Sequence, residues 1–409
     1  MKRKLKFLLF IFFTTLSASA QECVLEKQLE DEGFENVKVI HLPSTTVISY
    51  ENRLYRFEAN ALYHVLHIIS RNSCQTINYS ISIFNKRIPI IELKSSKKDL
   101  DQLIKKEISF DNWIEKASLQ FVSKQEKFNK NKSTSFGKID IATGVKLDYL
   151  LGNFDNPIRL ATFLQSRVET TLFQGLTLNS TYNTLVADDL YYNESSRFVS
   201  AYASYSRLLP KQIFARLSAG YFQNTQFGIE ALFVKFFSRD KFRLEVNTSF
   251  TEDRFLQAPP SIRATGNSRF SYGIKTVYRH PKLLTEISAH YGKYTFDDTG
   301  YTLTLSRQFR EVQIGFYLRD TDREIIGSFN KKYDKNYGFY FSTPIGFKKH
   351  MKPKKVRLRT QEKFGLEYNY TGGVVSGSRL NIQNNIINEL QEYYPSTIIQ
   401  GLRYYFNEK

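Results

Sequence analysis

Glu286, Ser288 and His290 stand two residues apart in one alternating stretch, and a carboxylate, a hydroxyl and an imidazole are the parts of an activated nucleophile. Such chemistry needs the three groups in hydrogen-bond contact. Side chains two apart on a strand point the same way without converging, so the spacing predicts filler on an inward face and no catalytic trio. The remaining histidines, His41, His64, His67, His280 and His350, fall in no Gly-x-Ser-x-Gly or His-Glu-x-x-His setting. The expectation is a protein that is not an enzyme, with no cofactor and no metal site.

Asp297 and Asp298 before Gly300 have the chemistry for a cation or for sugar hydroxyls, but Asp-Asp-x-Gly is also ordinary turn chemistry, and the turn is the better reading. Cys23 and Cys74 are the two cysteines. In an oxidising compartment they are candidates for one disulfide, and two separate thiols are the alternative.

A third constellation is ionic. On strand parity Arg167, Glu169, Arg216, Glu230, Arg243, Glu245 and Arg319 point to one face, a candidate charge network. Mixed charges lining a narrow barrel pair and fill it, whereas an open conduit need not pair them. A filled lumen is favoured over a lumen that contacts polysaccharide. Arg307 shares the apolar face of its strand near Phe309 and is expected to snorkel to a rim.

The elements that must carry these residues have a period of two. Ile213, Ala215, Leu217, Ala219 and Tyr221 oppose Arg216, Ser218 and Gly220; Phe242, Leu244, Val246, Thr248 and Phe250 oppose Arg243, Glu245, Asn247 and Ser249. Tyr301 to Leu305 and Val312 to Leu318 alternate likewise. Runs of about ten residues suit tilted strands through a bilayer, apolar outside and polar inside. The joins at 209–211, 238–241, 280–282 and 309–310 are tight, while longer ones at 187–196, 253–268 and 322–335 fall at alternate positions, as two different rims require. The stretch from Gly401 to Lys409, with Leu402, Tyr404 and Phe406 on one face, has the look of a terminal barrel strand. Val356 to Tyr370 reads as another strand and Ile382 to Tyr394 as a helix.

Residues 24–110 differ. Leu25, Leu29 and Phe34 have helical spacing, Val37–Ile40, Thr46–Tyr50 and Tyr79–Phe84 read as strands, and Ala59–Ser70 as a helix. That is one small α/β domain, bounded here as 21–123. The polar stretch 124–135 is a linker. Residues 136–409 are then an antiparallel β-barrel of about 12 to 14 strands.

Lys2, Arg3, Lys4 and Lys6, an apolar run to Phe13, and Ala18-Ser19-Ala20 form a secretory signal peptide over 1–20. Tyr 26 and Phe 34 against one Trp give 15% aromatic residues, which suits strands with alternating faces. The formal charge is +18, four of it from the signal peptide, leaving +14. For an exported chain this suggests lipopolysaccharide phosphates or an acidic polysaccharide, with nucleic acid the poorest partner.

The stretch from Gly292 and Tyr294, through Asp298 and Gly300, to Ser306, Arg307 and Phe309, then Gly327, Phe329 and Lys331 and on to Pro344, resembles the YjbH/GfcD family of outer-membrane exopolysaccharide and capsule proteins. Asp155-Asn156-Pro157, Arg216–Tyr221 and Tyr55-Arg56 are weaker echoes; Asn330 stands where the family has Asp. The chain looks like a short, single-barrel member. The resemblance implies an outer-membrane barrel that assists exopolysaccharide or capsule biosynthesis or export, its small domain meeting periplasmic export proteins. A general porin or structural barrel is one alternative, and a barrel enzyme acting on lipid or polysaccharide is the other.

Overall fold

The computed structural model describes residues 22–408 apart from 73–75, 123–133, 152–157, 190–195, 223–225, 254–267, 296, 325–332, 353, 362 and 370–389. Cys74, Gly327, Phe329, Lys331, Asp155 and the linker up to residue 133 lie outside the described residues, as does most of the expected helix 382–394.

The small domain runs α1 (Glu22–Glu32), β1 (Glu35–His41), β2 (Thr45–Glu51), α2 (Glu58–Arg71), β3 (Asn78–Asn85), β4 (Ile88–Ser96), α3 (Lys97–Ile104), α4 (Phe110–Lys116) and β5 (Ser118–Phe121). Leu62, Val65, Leu66 and Ile69 repeat at helical spacing, and that stripe seats α2 on the sheet. Ser96 and Ser109 accept the backbone N–H of Asp99 and Asn112, capping α3 and α4. The strands pair in the order β1-β2-β3-β4-β5, with β2 and β3 parallel across the α2 crossover.

Twelve long strands follow: β6 (Ile139–Leu151), β7 (Ile158–Phe173), β8 (Leu176–Asp188), β9 (Ser196–Leu209), β10 (Ile213–Phe222), β11 (Gln226–Phe237), β12 (Phe242–Asp253), β13 (Ser268–His280), β14 (Thr285–Lys293), β15 (Thr299–Phe309), β16 (Val312–Glu324) and β17 (Tyr333–Thr343). From β7 on, each pairs antiparallel with its predecessor. β18 (Val356–Thr360) and β19 (Phe364–Asn369) complete a sheet of 14 members.

The expected single strand 356–370 is divided between two neighbours. Residues 356–360 pair parallel with β6, the first edge, and 364–369 pair antiparallel with β17, the last. Four residues cannot span more than about 15 Å, so the two edges lie close together and the sheet is rolled. The Tyr149 hydroxyl donates to the Glu367 carbonyl at 2.8 Å across this seam. Among the described residues no continuous ladder closes the roll; one segment that changes partners bounds both edges. Its turn-over point needs Gly144, since a Cβ there would lie 2.1 Å from Gln361 Oε1.

All the hairpin turns at one end are short: 174–175, 210–212, 238–241, 281–284 and 310–311. The other end carries the long connections, but also two short ones, 223–225 and 294–298, so the expected alternation of short and long is incomplete. Gly175, at φ 77°, has no room for a Cβ because the Ser206 carbonyl sits 1.9 Å from where one would be.

The outward face is apolar and exposed. Leu217, Ile229, Ile274, Ile287, Leu303 and Leu305 form a middle band, with Phe227, Phe270, Tyr272, Tyr291 and Tyr301 towards the loop end and Phe173, Phe237, Phe242, Tyr278 and Phe309 towards the hairpin end. The inward face is polar along most of its length: Thr177, Asn179, Thr181, Asn183, Ser204, Ser218, Ser249 and Ser271 are buried. Towards the hairpin end it turns apolar, with Leu208, Phe214, Leu232, Val234 and Phe236 buried.

Those five residues belong to the core of the small domain. Phe121 of β5 stacks on Phe236 with centroids 4.3 Å apart, and Phe214 and Tyr394 close around the pair. The small domain therefore stoppers the hairpin end of the roll. A last helix, α5 (Pro395–Glu408), packs on α2 and corrects the expected terminal strand. Ile398, Leu402 and Tyr405 are buried, a helical spacing, whereas Tyr404 and Phe406 are only partly covered. Residues 395–408 thus complete the small domain, not the large sheet.

Candidate functional site

The seven charges expected on the inward face lie on the buried parity of their strands, and the structure sorts them into separate groups. Arg216 donates to Glu230 at 3.0 Å on neighbouring β10 and β11. Arg243 donates to Glu245 at 2.7 Å within β12. Each pair is buried. Arg319 lies over the Tyr317 ring at 5.1 Å, and Arg167 is half-buried between Gln165 and Glu169.

Glu169 faces a different partner set, supplied by the small domain. Lys86, at the β3–β4 turn, donates to it at 3.1 Å, and Arg53 approaches to 3.8 Å. Arg53 also pairs with Glu51 at 2.7 Å and with Asp140 of β6 at 3.3 Å, while Arg357 of β18 bonds both Asp140 and the Arg53 carbonyl. Burial acts to discharge the Arg53 guanidinium, but the carboxylates of Glu51, Asp140 and Glu169 outweigh it and hold its pKa well above the ordinary value. Burial pushes the Glu35 carboxyl up, against the attraction of Arg53 and Lys138. This buried ionic joint was not legible in advance, because its members lie on elements with no sequence proximity. Tyr55-Arg56 was the one signal: Arg56 donates to Glu311 at 2.9 Å and to the Gly346 carbonyl at 2.8 Å, tying the head of α2 to the β15–β16 turn.

Another clamp joins the inward face of β13 and β14 to α5. Arg279 of β13 bonds Glu286 of β14 and, from α5, the hydroxyls of Ser396 and Thr397. Asp240 takes the backbone N–H of Ser396 at 2.9 Å. Glu286 is therefore engaged with a guanidinium. His290 Nδ1 is 2.9 Å from the Tyr294 hydroxyl, which is 2.7 Å from Thr302 Oγ1. Glu286 is thus engaged with Arg279, and His290 with Tyr294.

Asp297 and Asp298 form the β14–β15 turn, where Tyr294 N–H donates to the Asp298 carbonyl at 2.7 Å and Lys293 pairs with Asp297 at 2.9 Å. Gly292 pairs with Gly273 and Gly300, and a Cβ on it would strike the Tyr272 carbonyl. Ser306 points inward, and Arg307 lies on the exposed face with its guanidinium 4.7 Å from the Phe309 ring centre, a residue over its own rim aromatic. The described part of the family-like stretch is therefore built mainly of turn and packing residues. The side chain of Cys23, like Cys74, lies outside what is described.

Between the hairpin rim and the small domain lies a cleft of about 730 Å³. Its walls come from the β15–β16 turn, the start of α2, the segment before β19 and one side of α5. A smaller polar cavity of about 60 Å³ sits beside the ionic joint, lined by Arg53, Arg56, Lys86, Glu169 and His350 among others. Burial, aided by the nearby Arg357, Arg359 and Arg56, lowers His350 to about 4, so this imidazole is neutral at pH 7. No group of His, Cys, Asp and Glu among the described residues is arranged to hold a metal ion.

No curated protein matches the chain. Among solved structures, Pseudomonas aeruginosa OccK10 (OpdN) overlaps it with a TM-score of 0.30 and 6% identity, over 73% of this chain and 92% of that one. A family model described as exopolysaccharide biosynthesis protein YbjH matches residues 14–196 and 187–361, across the small domain and all twelve long strands. The chain belongs to the YjbH family of exopolysaccharide biosynthesis proteins.

Proposed function

We propose that this protein is an outer-membrane β-barrel without catalytic activity that assists the assembly or export of an exopolysaccharide or capsule. The observation that carries the membrane reading is the outer face of the rolled sheet. A broad apolar band, aliphatic residues interspersed with Phe316 and Phe339 at mid-height and aromatic residues towards both ends, is stable in lipid and costly in water. The polar inner face and the paired inner charges fit a closed interior. The small domain then stands in the periplasm, because short hairpins face that side in such barrels. Lipopolysaccharide, the polymer and periplasmic export proteins are the partners this arrangement serves.

The test is deletion of the gene and measurement of cell-bound and released polysaccharide, with membrane fractionation of the tagged protein. Loss of polymer together with an outer-membrane location is expected. Unchanged polymer in the deletion strain defeats the reading.

A further inference from the structure

We propose that the rim cleft, and not the interior of the roll, is where this protein holds its polymer, and that it takes a short run of acidic sugar rings. The proposal rests on the polysaccharide reading above and names the contact within it.

Size comes first. At about 730 Å³ the cleft falls within the ~300–1,000 Å³ of sites that enclose small ligands. Rings line it: Phe57, Tyr404 and Tyr405, with Phe309 at the edge that it shares with the outward band. Flat rings suit the C–H faces of sugars, whereas acyl chains pack against aliphatic walls, and Ala59, Leu284 and Val312 are the aliphatic side chains here.

Polar groups supply the second half. Gln308 donates an amide N–H to the Arg310 carbonyl at 3.0 Å and Gln400 accepts from Arg403 at 3.2 Å; among the described residues the Gln308 side-chain oxygen and the Gln400 NH₂ make no further hydrogen bond. One spare acceptor and one spare donor match hydroxyl groups, which both give and take. Lys348 and Lys363 line the same cleft, and among the described residues neither has a carboxylate partner. Of the acids that line the cleft, Glu311 is held by Arg56, Glu58 is buried against the Tyr50 hydroxyl, and Glu392 stands beside them. Two uncommitted ammonium groups above rings and amides select a sugar carrying carboxylate or phosphate.

The location adds a reason. Lys363 lies where the 356–369 segment leaves β6 for β17, and Tyr404 and Gln400 belong to α5, so the cleft exists only where the seam and the stopper meet. A polymer held there is outside the interior.

The test uses the full chain purified in detergent with hexameric oligogalacturonate as the acidic probe, maltohexaose as the neutral one and lipid A as the competing class. Oligogalacturonate should bind, maltohexaose at least tenfold more weakly, and Lys363→Glu or Tyr404→Ala should lower the acidic affinity at least tenfold while the folded, heat-modifiable band persists. Absence of binding, variants that bind as wild type, or preference for lipid A overturns the proposal. The same variants are then placed in the deletion strain. If deletion leaves the polymer unchanged, the reading of the whole protein fails. If deletion abolishes the polymer but both variants restore it fully, the cleft alone is wrong.

Discussion

Lys86, at the tip of a hairpin in the small domain, reaches Glu169 on the inner wall of the rolled sheet at 3.1 Å, and both side chains are nearly inaccessible. A buried pair of this kind gives geometry more than stability, since desolvation consumes much of the Coulomb energy. Removing one partner is another matter. Lys86→Ala leaves Glu169 with Arg53 at 3.8 Å as its remaining described cation from the small domain, and should destabilise the joint by ~3 kcal/mol. Lys86→Met with Glu169→Leu should cost much less. Loss of the heat-modifiable folded band with temperature compares them; equal losses would show that the pair is not desolvated in the folded protein.

The small domain's packing on the hairpin end has an electrical consequence. In planar bilayers the wild-type protein should give no steady conductance, because the small domain and paired charges obstruct the interior. Arg53→Ala with Lys86→Ala should produce intermittent steps by loosening the stopper. A large constant conductance from wild type would defeat this.

Glu58 sets a pH slope. Burial, with a smaller contribution from Glu51, raises its carboxyl to about 8 despite the hydrogen bond from Tyr50. The folded value lies above the unfolded one of 4.5, so folding retains a proton that the unfolded chain releases. Stability from this group is complete below about pH 4.5 and is lost as pH rises to about 8, reaching ~3 kcal/mol at pH 7. Glu58→Gln should track wild type at pH 4.5 and exceed it at pH 8. Parallel melting curves across that range would show that Glu58 is ionised in the fold.

At the seam, Gly144→Val should displace Gln361 and cost ~1–3 kcal/mol by overpacking, releasing residues 356–360 from β6. Faster hydrogen exchange confined to residues 139–143 and 356–360 is the expected signature. Uniform acceleration would place the defect elsewhere.

Much of the sheet was readable because a period of two is local: Arg243, Glu245 and Phe242 take the faces that parity assigns them. α5 misled for the same reason. Leu402, Tyr404 and Phe406 alternate, yet Ile398, Leu402 and Tyr405 are the buried set, and only the small domain's apolar surface decides between the two patterns. The division of 356–370 likewise depends on which edge is nearest, a property of the rolled sheet. Arg53, Lys86, Asp140 and Arg357 meet from four distant elements, and no spacing within the chain encodes that meeting.

The helix 395–408 closes a core begun at Leu25, and twelve strands are threaded between the two. The core of the stopper is complete only with a segment that follows the whole sheet in the chain. Packing of this helix thus ties the small domain to a finished wall, and the cleft built from both belongs to the complete fold.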